Sequence, residues 1–222
     1  KAFWVAAKEH LDTLYVLAEW ITIDESRAKS KSIRNVNAQH MEKKPIKDGW
    51  TIYAAVEGSV AAPTAGLHFT DEVFQGLADK GVQKEVVTLH VGYGTFAEVK
   101  EGKLENHVMH KEWFSLSEET AQRLNEAKRA GKTILSVGTS ATRVLESQAT
   151  NGVLQAGSGE TDLFIYPPYE WQFVDAMLTN FHMPDRSPLM LVAALAGRAR
   201  VQVCVDDAGQ VATLSRAAEA AG

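Results

Sequence analysis

The fold is decided by residues 115–148, which read SLSEETAQRLNEAKRAGKTILSVGTSATRVLESQ. Ser115 and Glu118 have the spacing of a capping box, and Gly131 is typical of a helix end, so a helix is predicted between them. The apolar run at 134–137 then predicts a buried strand, and residues 142–148 predict a short second helix. Helices that alternate with short buried strands indicate α/β architecture.

The same alternation continues on both sides of this stretch. Thr70, followed by two acids, predicts the start of a helix that ends at Gly81, and the β-branched run 85–91 predicts a strand. Further along, residues 163–166 predict a strand, and Ser187 with a following proline predicts a helix through residue 196. We therefore expect an α/β core of mixed strands and helices over residues 48–200.

The two ends of the chain differ from this core. Apolar residues recur at steps of three and four over residues 3–21, which predicts a helix, whereas residues 24–50 lose this periodicity. We therefore divide the chain into an atypical N-terminal helix and basic connector (1–47), the α/β core of catalytic type (48–200), and a strand-like tail with a frayed C-terminus (201–222).

Composition limits the class of protein. The chain has 222 residues, one cysteine and no apolar run long enough to span a membrane, so we expect a cytoplasmic protein. The net charge of −5 argues against nonspecific coating of nucleic acid, but seven basic residues and one acid lie between residues 27 and 47. This segment predicts either a solvated loop or a contact with phosphates. The residues predicted to contact nucleic acid are Arg27, Lys29, Lys31, Arg34, Lys43 and Lys44.

Two segments predict close contact with a ligand. Residues 58–69 are mostly small, which suits a backbone that approaches a ligand closely, although a tight structural turn would also explain them. Residues 138–140 follow a strand and precede a helix, where backbone N–H groups can hold an anion; an ordinary strand-to-helix turn is the alternative. The Gly-x-Gly at 92–94 lacks the third glycine of a dinucleotide-binding fingerprint.

Five histidines fall at the ends of predicted strands or in loops, where one could act as a general base because the histidine pKa lies near neutrality. They are His68, His90, His107, His110 and His182. Their spacing does not include the His-x-x-x-His pair typical of a helical metal site, so we expect no metal. A metal-dependent hydrolase built on these histidines remains an open alternative.

The order of these segments resembles a known family. The run Gly58-Ser59-Val60-Ala61-Ala62-Pro63-Thr64-Ala65-Gly66-Leu67-His68-Phe69 and the tetrapeptide Thr179-Asn180-Phe181-His182 are similar to signatures of the S-adenosylmethionine:tRNA ribosyltransferase-isomerases of queuosine biosynthesis. The similarity covers roughly residues 50–197. It implies the α/β large domain of that family. The family's small inserted β-barrel is expected to be missing or replaced, because residues 1–45 show no match.

The resemblance also implies an activity. Such enzymes transfer the ribosyl group of S-adenosylmethionine to the 7-aminomethyl-7-deazaguanine base in a tRNA anticodon loop and isomerise it, giving epoxyqueuosine-tRNA with release of adenine and methionine. No metal is implied, and we expect a monomer. A relative that has lost catalysis and only binds nucleoside or tRNA is the alternative.

Site residues follow from the resemblance. A histidine would remove a proton from the acidic carbon beside the sulfonium, and carboxylates would stabilise positive charge. The catalytic candidates are His68, His90, His182, Glu57 and Asp175. The candidates for contact with S-adenosylmethionine are Ser59, Ala62, Pro63, Thr64, Gly66, Gly92, Gly94, Thr95, Gly138, Thr139, Arg143, Asn180 and Phe181.

Overall fold

The computed structural model describes residues 51–92, 107–180, 182 and 186–196, and the backbone of three short strands between residues 3 and 28. In chain order its elements are β1 (Phe3–Ala7), β2 (Trp20–Asp24), β3 (Ser26–Ala28), β4 (Val56–Ser59), a 3₁₀ turn (Thr64–His68), α1 (Asp71–Ala78), β5 (Gln83–Leu89), β6 (Glu112–Leu116), α2 (Glu118–Arg129), β7 (Ile134–Val137), α3 (Gly138–Gln148), β8 (Ala149–Thr150), β9 (Val153–Leu154), β10 (Gly157–Thr161), β11 (Ala176–Asn180) and α4 (Ser187–Ala196). None of the described helices has the length and apolar character needed to cross a membrane.

Seven strands form one sheet in the order β1-β11-β7-β2-β5-β6-β10. The four central strands, β11, β7, β2 and β5, run parallel to one another. At the edges, β1 is antiparallel to β11, β6 is antiparallel to β5, and β10 is antiparallel to β6. The predicted α/β class is therefore confirmed.

Helices cover both faces of this sheet. Side chains of β5 alternate: Val87 and Leu89 join a core with α2 and α3, whereas Val86 packs with α1 and the 3₁₀ turn on the other face. This alternation follows from the period of two along a strand. α4 packs with Ile165 and Met177 and against β1, and it is buried along most of its length.

The predicted core elements differ from the structure at four places. β5 spans Gln83–Leu89, two residues before the strand predicted at 85–91. The N-cap of α2 is Ser117, whose Oγ accepts from Thr120 N at 3.1 Å, so Ser115 is not the cap and lies in β6. α3 begins at Gly138, four residues before the predicted start. The strand predicted at 163–166 is wrong, because those residues have no regular structure.

The helix predicted over residues 3–21 is wrong at both ends, whereas residues 8–19 lie outside the described residues. Residues 3–7 pair with β11, and residues 20–24 lie between β5 and β7, so both ends of the segment are strands. Each run is rich in aromatic or β-branched residues, and pairing within the sheet outweighs the local periodicity of apolar residues. The connector also contains β3, which pairs with β4. The predicted tail at 201–222 lies outside the described residues.

The site follows from the direction of the strands. The carboxyl ends of four parallel strands meet at one edge of the sheet, and open α/β sheets bind ligands at that edge. The chain moves from β2 to β5 on one side and later returns to β7 on the other. This reversal of strand order produces a crevice at the carboxyl ends of the adjacent strands β2 and β7.

Candidate functional site

A buried 3₁₀ turn approaches this edge because two glycines leave room for it. A Cβ on Gly66 would lie 1.7 Å from Tyr53 Oη, so a larger residue cannot occupy the turn as it stands. Gly138 has a φ of +86°, a conformation that glycine adopts without strain, and the position of its missing Cβ lies 3.6 Å from the Cβ of Ala65. The turn therefore rests against the first residue of α3.

His68, the last residue of this turn, is held by the end of β11. Its Nε2 lies 2.8 Å from Asn180 Oδ1. A hydrogen bond from Nε2–H to the amide oxygen would place the neutral tautomer's acceptor at Nδ1. Two parts of the chain that are 112 residues apart thus orient one imidazole at the carboxyl edge of the sheet.

His182 lies just beyond the same strand in a different environment. Its Nε2 is 3.0 Å from Thr179 Oγ1, and burial lowers the pKa of His182 to about 4. The ring is consequently neutral at pH 7. A base with such a low pKa accepts protons poorly, so His182 suits a neutral hydrogen-bonding role better than the role of general base.

His90 follows β5 and is fixed by stacking. Its ring lies on Trp113 with centroids 4.9 Å apart and an interplanar angle of 20°, and its backbone N donates to Trp113 O at 2.8 Å. Gly58 also packs against this ring, where a Cβ would approach His90 Nε2 to 2.6 Å. The glycine at the start of the small-residue run is therefore needed for contact between β4 and His90.

Ser59 joins the loop after β4 to the end of β5. Its Oγ accepts from Val91 N at 2.9 Å and donates to Ala61 O at 2.7 Å, and Val60 N donates to Val91 O at 2.9 Å. Ser59 has no exposed surface. These contacts assign Ser59 a role in fixing the loop.

A buried ion pair lies beside the start of α3. Arg143 and Glu112 contact each other through Nη1 and Oε2, and their side chains are 7% and 1% exposed. Glu112 Oε1 also accepts from Gly92 N at 2.7 Å, and Arg143 Nε donates to Leu163 O at 3.1 Å. The pair thus connects β6, α3 and the loop after β5, which stabilises a buried charge that would be costly alone.

A pocket opens above this pair. Its enclosed space is about 20 Å³, which is roughly the room that one water molecule needs. Apolar side chains dominate its wall, with Val91, Met109 and Phe164 among them, and Thr139 from α3 adds a hydroxyl.

Asp175 is not brought to this site. It precedes β11, about 16 Å along the strand from Asn180 at 3.3 Å per residue. There it pairs with Lys128 Nζ at 2.5 Å and accepts from Ile134 N at 2.9 Å. These contacts give Asp175 a role in joining α2, β7 and β11.

The aromatic segment after residue 168 has a similar supporting role. Glu146 is buried and accepts from the backbone N of Gln172, Phe173 and Val174 at 2.8–3.0 Å. Tyr169 also hydrogen-bonds to this carboxylate, and burial together with the Glu146 charge raises the pKa of the Tyr169 hydroxyl. The segment is therefore anchored to α3 and does not form the wall of the pocket.

The remaining predicted residues fall into three groups. The 3₁₀ turn contains Thr64 and Gly66, and it is preceded by Ala62 and Pro63. Glu57 is exposed on β4. Gly92, Thr139 and Arg143 lie around the pocket. The structure does not describe Gly94, Thr95, Phe181, Lys29, Lys31, Arg34, Lys43 or Lys44; for Arg27 it gives only the backbone, within β3.

The sequence did not identify Glu112 and Phe164 as site residues. Glu112 could have been found, because the alternation of β6 places it on the same buried face as Phe114 and Leu116, where a carboxylate needs a partner. Phe164 gave no such signal, since it lies in an irregular segment.

Among the described residues, no group of three or more histidine, cysteine, aspartate or glutamate side chains is close enough to hold a metal ion. His107 contacts the Phe164 ring, with centroids 4.7 Å apart, and burial and nearby His110 lower the pKa of His107.

Comparison with known proteins gives consistent matches. A family model described as "Queuosine biosynthesis protein" matches residues 11–210, so the match begins earlier than the resemblance did. An S-adenosylmethionine:tRNA ribosyltransferase-isomerase of Natranaerobius thermophilus is 52% identical over 149 residues, covering 67% of this chain and 43% of that protein. One of Caldanaerobacter subterraneus subsp. tengcongensis is 48% identical over 163 residues, covering 72% and 48%.

One solved structure is also similar. The crystal structure of S-adenosylmethionine tRNA ribosyltransferase from Thermotoga maritima shares 44% identity with this chain, with a TM-score of 0.49, and the match covers 60% of this chain and 41% of that one. The chain spans less than half the length of the curated relatives described above.

Proposed function

The chain belongs to the family of queuosine biosynthesis proteins, and we propose that it transfers and isomerises the ribosyl group of S-adenosylmethionine onto the 7-aminomethyl-7-deazaguanine base of tRNA. Adenine and methionine would leave, and epoxyqueuosine-tRNA would be the product. The observation that carries the proposal is the identity of 47–52% over two thirds of the chain to relatives with that named activity.

The geometry of the carboxyl edge supports this reaction. We assign the first proton transfer to His68, because Asn180 orients its ring and the 3₁₀ turn brings it to the carboxyl end of β11. The sulfonium of S-adenosylmethionine acidifies the adjacent 5′ carbon, so a positioned imidazole suits the step. His182 would stay neutral and hydrogen-bond to the substrate or hold Thr179.

The partner in this proposal is a tRNA anticodon loop. The target base must leave its stack to reach an enclosed site, as in other enzymes that act on bases. Arg27, Lys29, Lys31, Arg34, Lys43 and Lys44 would contact phosphates near it. Each phosphate contact releases counterions, so binding of tRNA should weaken steeply as salt increases.

Turnover is tested by measuring adenine. The 222-residue chain is incubated with S-adenosylmethionine and a tRNA bearing the precursor base, and free adenine is quantified by chromatography. We expect release of one adenine per modified tRNA and none with a tRNA that carries guanine at the same position. Equal release from both tRNAs, or release without tRNA, would contradict the proposed acceptor.

Calorimetric titration separates binding from catalysis. If S-adenosylmethionine binds but no adenine appears with the precursor tRNA, the chain is the binding relative and not the transferase. If stoichiometric zinc or manganese copurifies and its removal abolishes turnover, the proposed reaction without a metal is wrong.

A further inference from the structure

The turn between β8 and β9 places an asparagine directly before a glycine. Asn151 and Gly152 are the two residues of this turn, and the strands on either side of it pair over two residue pairs. Both turn residues have a positive φ, +51° for Asn151 and +77° for Gly152. These angles are typical of the type I′ turn, for which Asn-Gly is a favoured sequence. No other asparagine in the chain precedes a glycine.

The side chain of Asn151 differs from those of the other two asparagines that the structure describes. Asn125 Nδ2 donates to Leu154 O at 3.0 Å, and Asn125 Oδ1 accepts from Leu154 N at 2.8 Å. Asn180 Oδ1 lies 2.8 Å from a histidine ring nitrogen. Asn151 is exposed, and its carboxamide has no hydrogen-bond partner among the described residues. Of these three side chains, only that of Asn151 can therefore rotate without breaking a hydrogen bond.

The hairpin around Asn151 can open locally. β8 and β9 form a separate two-stranded sheet, and a short two-stranded hairpin is marginally stable by itself. One hydrogen bond, from Asn151 N to Gln172 Oε1 at 3.2 Å, ties the turn to the segment that follows residue 168. Local opening of such an element costs much less free energy than global unfolding. Gly152 has no Cβ to block its nitrogen, so that nitrogen can reach the carboxamide carbon of Asn151.

We propose that Asn151 is a site of spontaneous deamidation in the folded protein. Gly152 N loses its proton and attacks Asn151 Cγ, and the side-chain nitrogen takes up a proton and leaves as ammonia. The new C–N bond closes a five-membered succinimide ring. Water then opens the ring at one of its two carbonyl carbons. Cleavage of the bond to Cγ gives aspartate at residue 151, and cleavage of the bond to the backbone carbonyl carbon gives isoaspartate.

The products change both the charge and the turn. Each adds one negative charge to a chain whose net charge is −5. Isoaspartate also lengthens the main chain by one methylene group, so the turn no longer has the length that sets the register of β8 and β9. The turn adjoins Gln172, whose backbone N donates to Glu146 Oε2 at 2.9 Å. We therefore expect the melting temperature of the protein to fall as isoaspartate accumulates.

Mass spectrometry of aged protein tests the proposal. The folded 222-residue chain is kept at 37 °C at pH 6 and at pH 8 and is then digested at acidic pH, so that digestion adds no deamidation. Each asparagine peptide is examined for the mass gain that accompanies replacement of NH₂ by OH, and fragmentation distinguishes isoaspartate from aspartate. We expect Asn151 to react several-fold faster than Asn125 or Asn180. Its rate should be higher at pH 8 than at pH 6, because the attacking nitrogen must lose a proton.

A variant and an unfolded sample complete the test. Asn151→Gln is the matched control, because its longer side chain would have to close a six-membered ring, and it should gain no comparable mass. The chain unfolded in guanidinium chloride is aged in parallel. Deamidation of Asn151 in the unfolded chain but not in the folded one would overturn the proposal, since the hairpin would then protect the residue. Equal rates at Asn151 and Asn125 in the folded chain would also overturn it. Neither result depends on whether the chain transfers a ribosyl group.

Discussion

Lowering the pH should destabilise this protein through His182. Burial lowers the pKa of His182 to about 4, whereas the unfolded chain has a value near 6.5. Between these two values the unfolded state binds a proton that the folded state does not. The contribution of His182 to the free energy of unfolding is therefore fully present above pH 6.5 and is lost as the pH decreases toward 4.

The size of the effect follows from the two pKa values. Linkage between them gives a loss of about 2 kcal/mol between pH 7 and pH 5, and about 3 kcal/mol by pH 4. Other groups titrate in the same range, so the informative quantity is the difference between the protein and a variant that cannot titrate at this position.

The assay is urea unfolding, followed by tryptophan fluorescence at pH 7, 6 and 5. His182→Gln keeps a hydrogen-bonding group next to Thr179 Oγ1 and should reduce the loss of stability between pH 7 and pH 5 by about 2 kcal/mol. His110→Gln, at an exposed position, is the control and should leave the pH dependence nearly unchanged. Equal pH dependence in His182→Gln and the unmodified chain would refute the reasoning.

Four other predictions concern packing and binding. Glu146→Ala removes the acceptor of three backbone N–H groups and should lower the free energy of unfolding by about 3 kcal/mol. Glu126→Ala, on the exposed face of α2, is the control and should change the free energy of unfolding by less than about 0.5 kcal/mol. Both variants are measured by urea unfolding. Gly66→Ala should destabilise the fold, because the added Cβ would clash with Tyr53 Oη. Gly76→Ala should stabilise α1 by about 0.5–1 kcal/mol, because its Cβ would meet nothing within 4 Å. A destabilised Gly76→Ala protein would count against the account. Asp175→Asn should lower the melting temperature and leave the affinity for S-adenosylmethionine unchanged in calorimetry, since Asp175 pairs with Lys128 away from the pocket. Lys43→Gln with Lys44→Gln should weaken tRNA binding and reduce its salt dependence in filter binding without affecting S-adenosylmethionine; an unaltered salt slope would exclude these lysines as phosphate contacts.

The sequence predicted those elements whose signals are local. α1 begins after a threonine whose Oγ1 accepts from Val73 N at 3.3 Å, and Gly81 with a φ of +77° follows it, as the capping residues indicate. β7 was also predicted with its correct bounds, because a short apolar run next to a helix end has few other interpretations. Local chemistry was sufficient for these elements.

Features that depend on distant parts of the chain were missed. The strands at 3–7 and 20–24 have apolar residues at helical spacing and become strands because β11, β7 and β5 offer hydrogen-bonding edges. The contact between Glu112 and Arg143 joins residues 31 positions apart; the alternation of β6 indicates that Glu112 needs a partner but not which residue supplies it. The motif at 58–69 identified the family but not its arrangement, in which Gly58 supports His90 and Gly66 makes room for Tyr53.

The central claim is that the crevice at the carboxyl edge of the sheet carries out ribosyl transfer, with His68 as the base. The most direct measurement compares tRNA-dependent adenine release by the unmodified chain, His68→Ala and His110→Ala, each confirmed as folded by circular dichroism. We predict that His68→Ala reduces the rate by about 100-fold or more, the usual contribution of a general base, and that His110→Ala changes it less than about two-fold. Adenine release by His68→Ala at the rate of the unmodified chain would contradict the account.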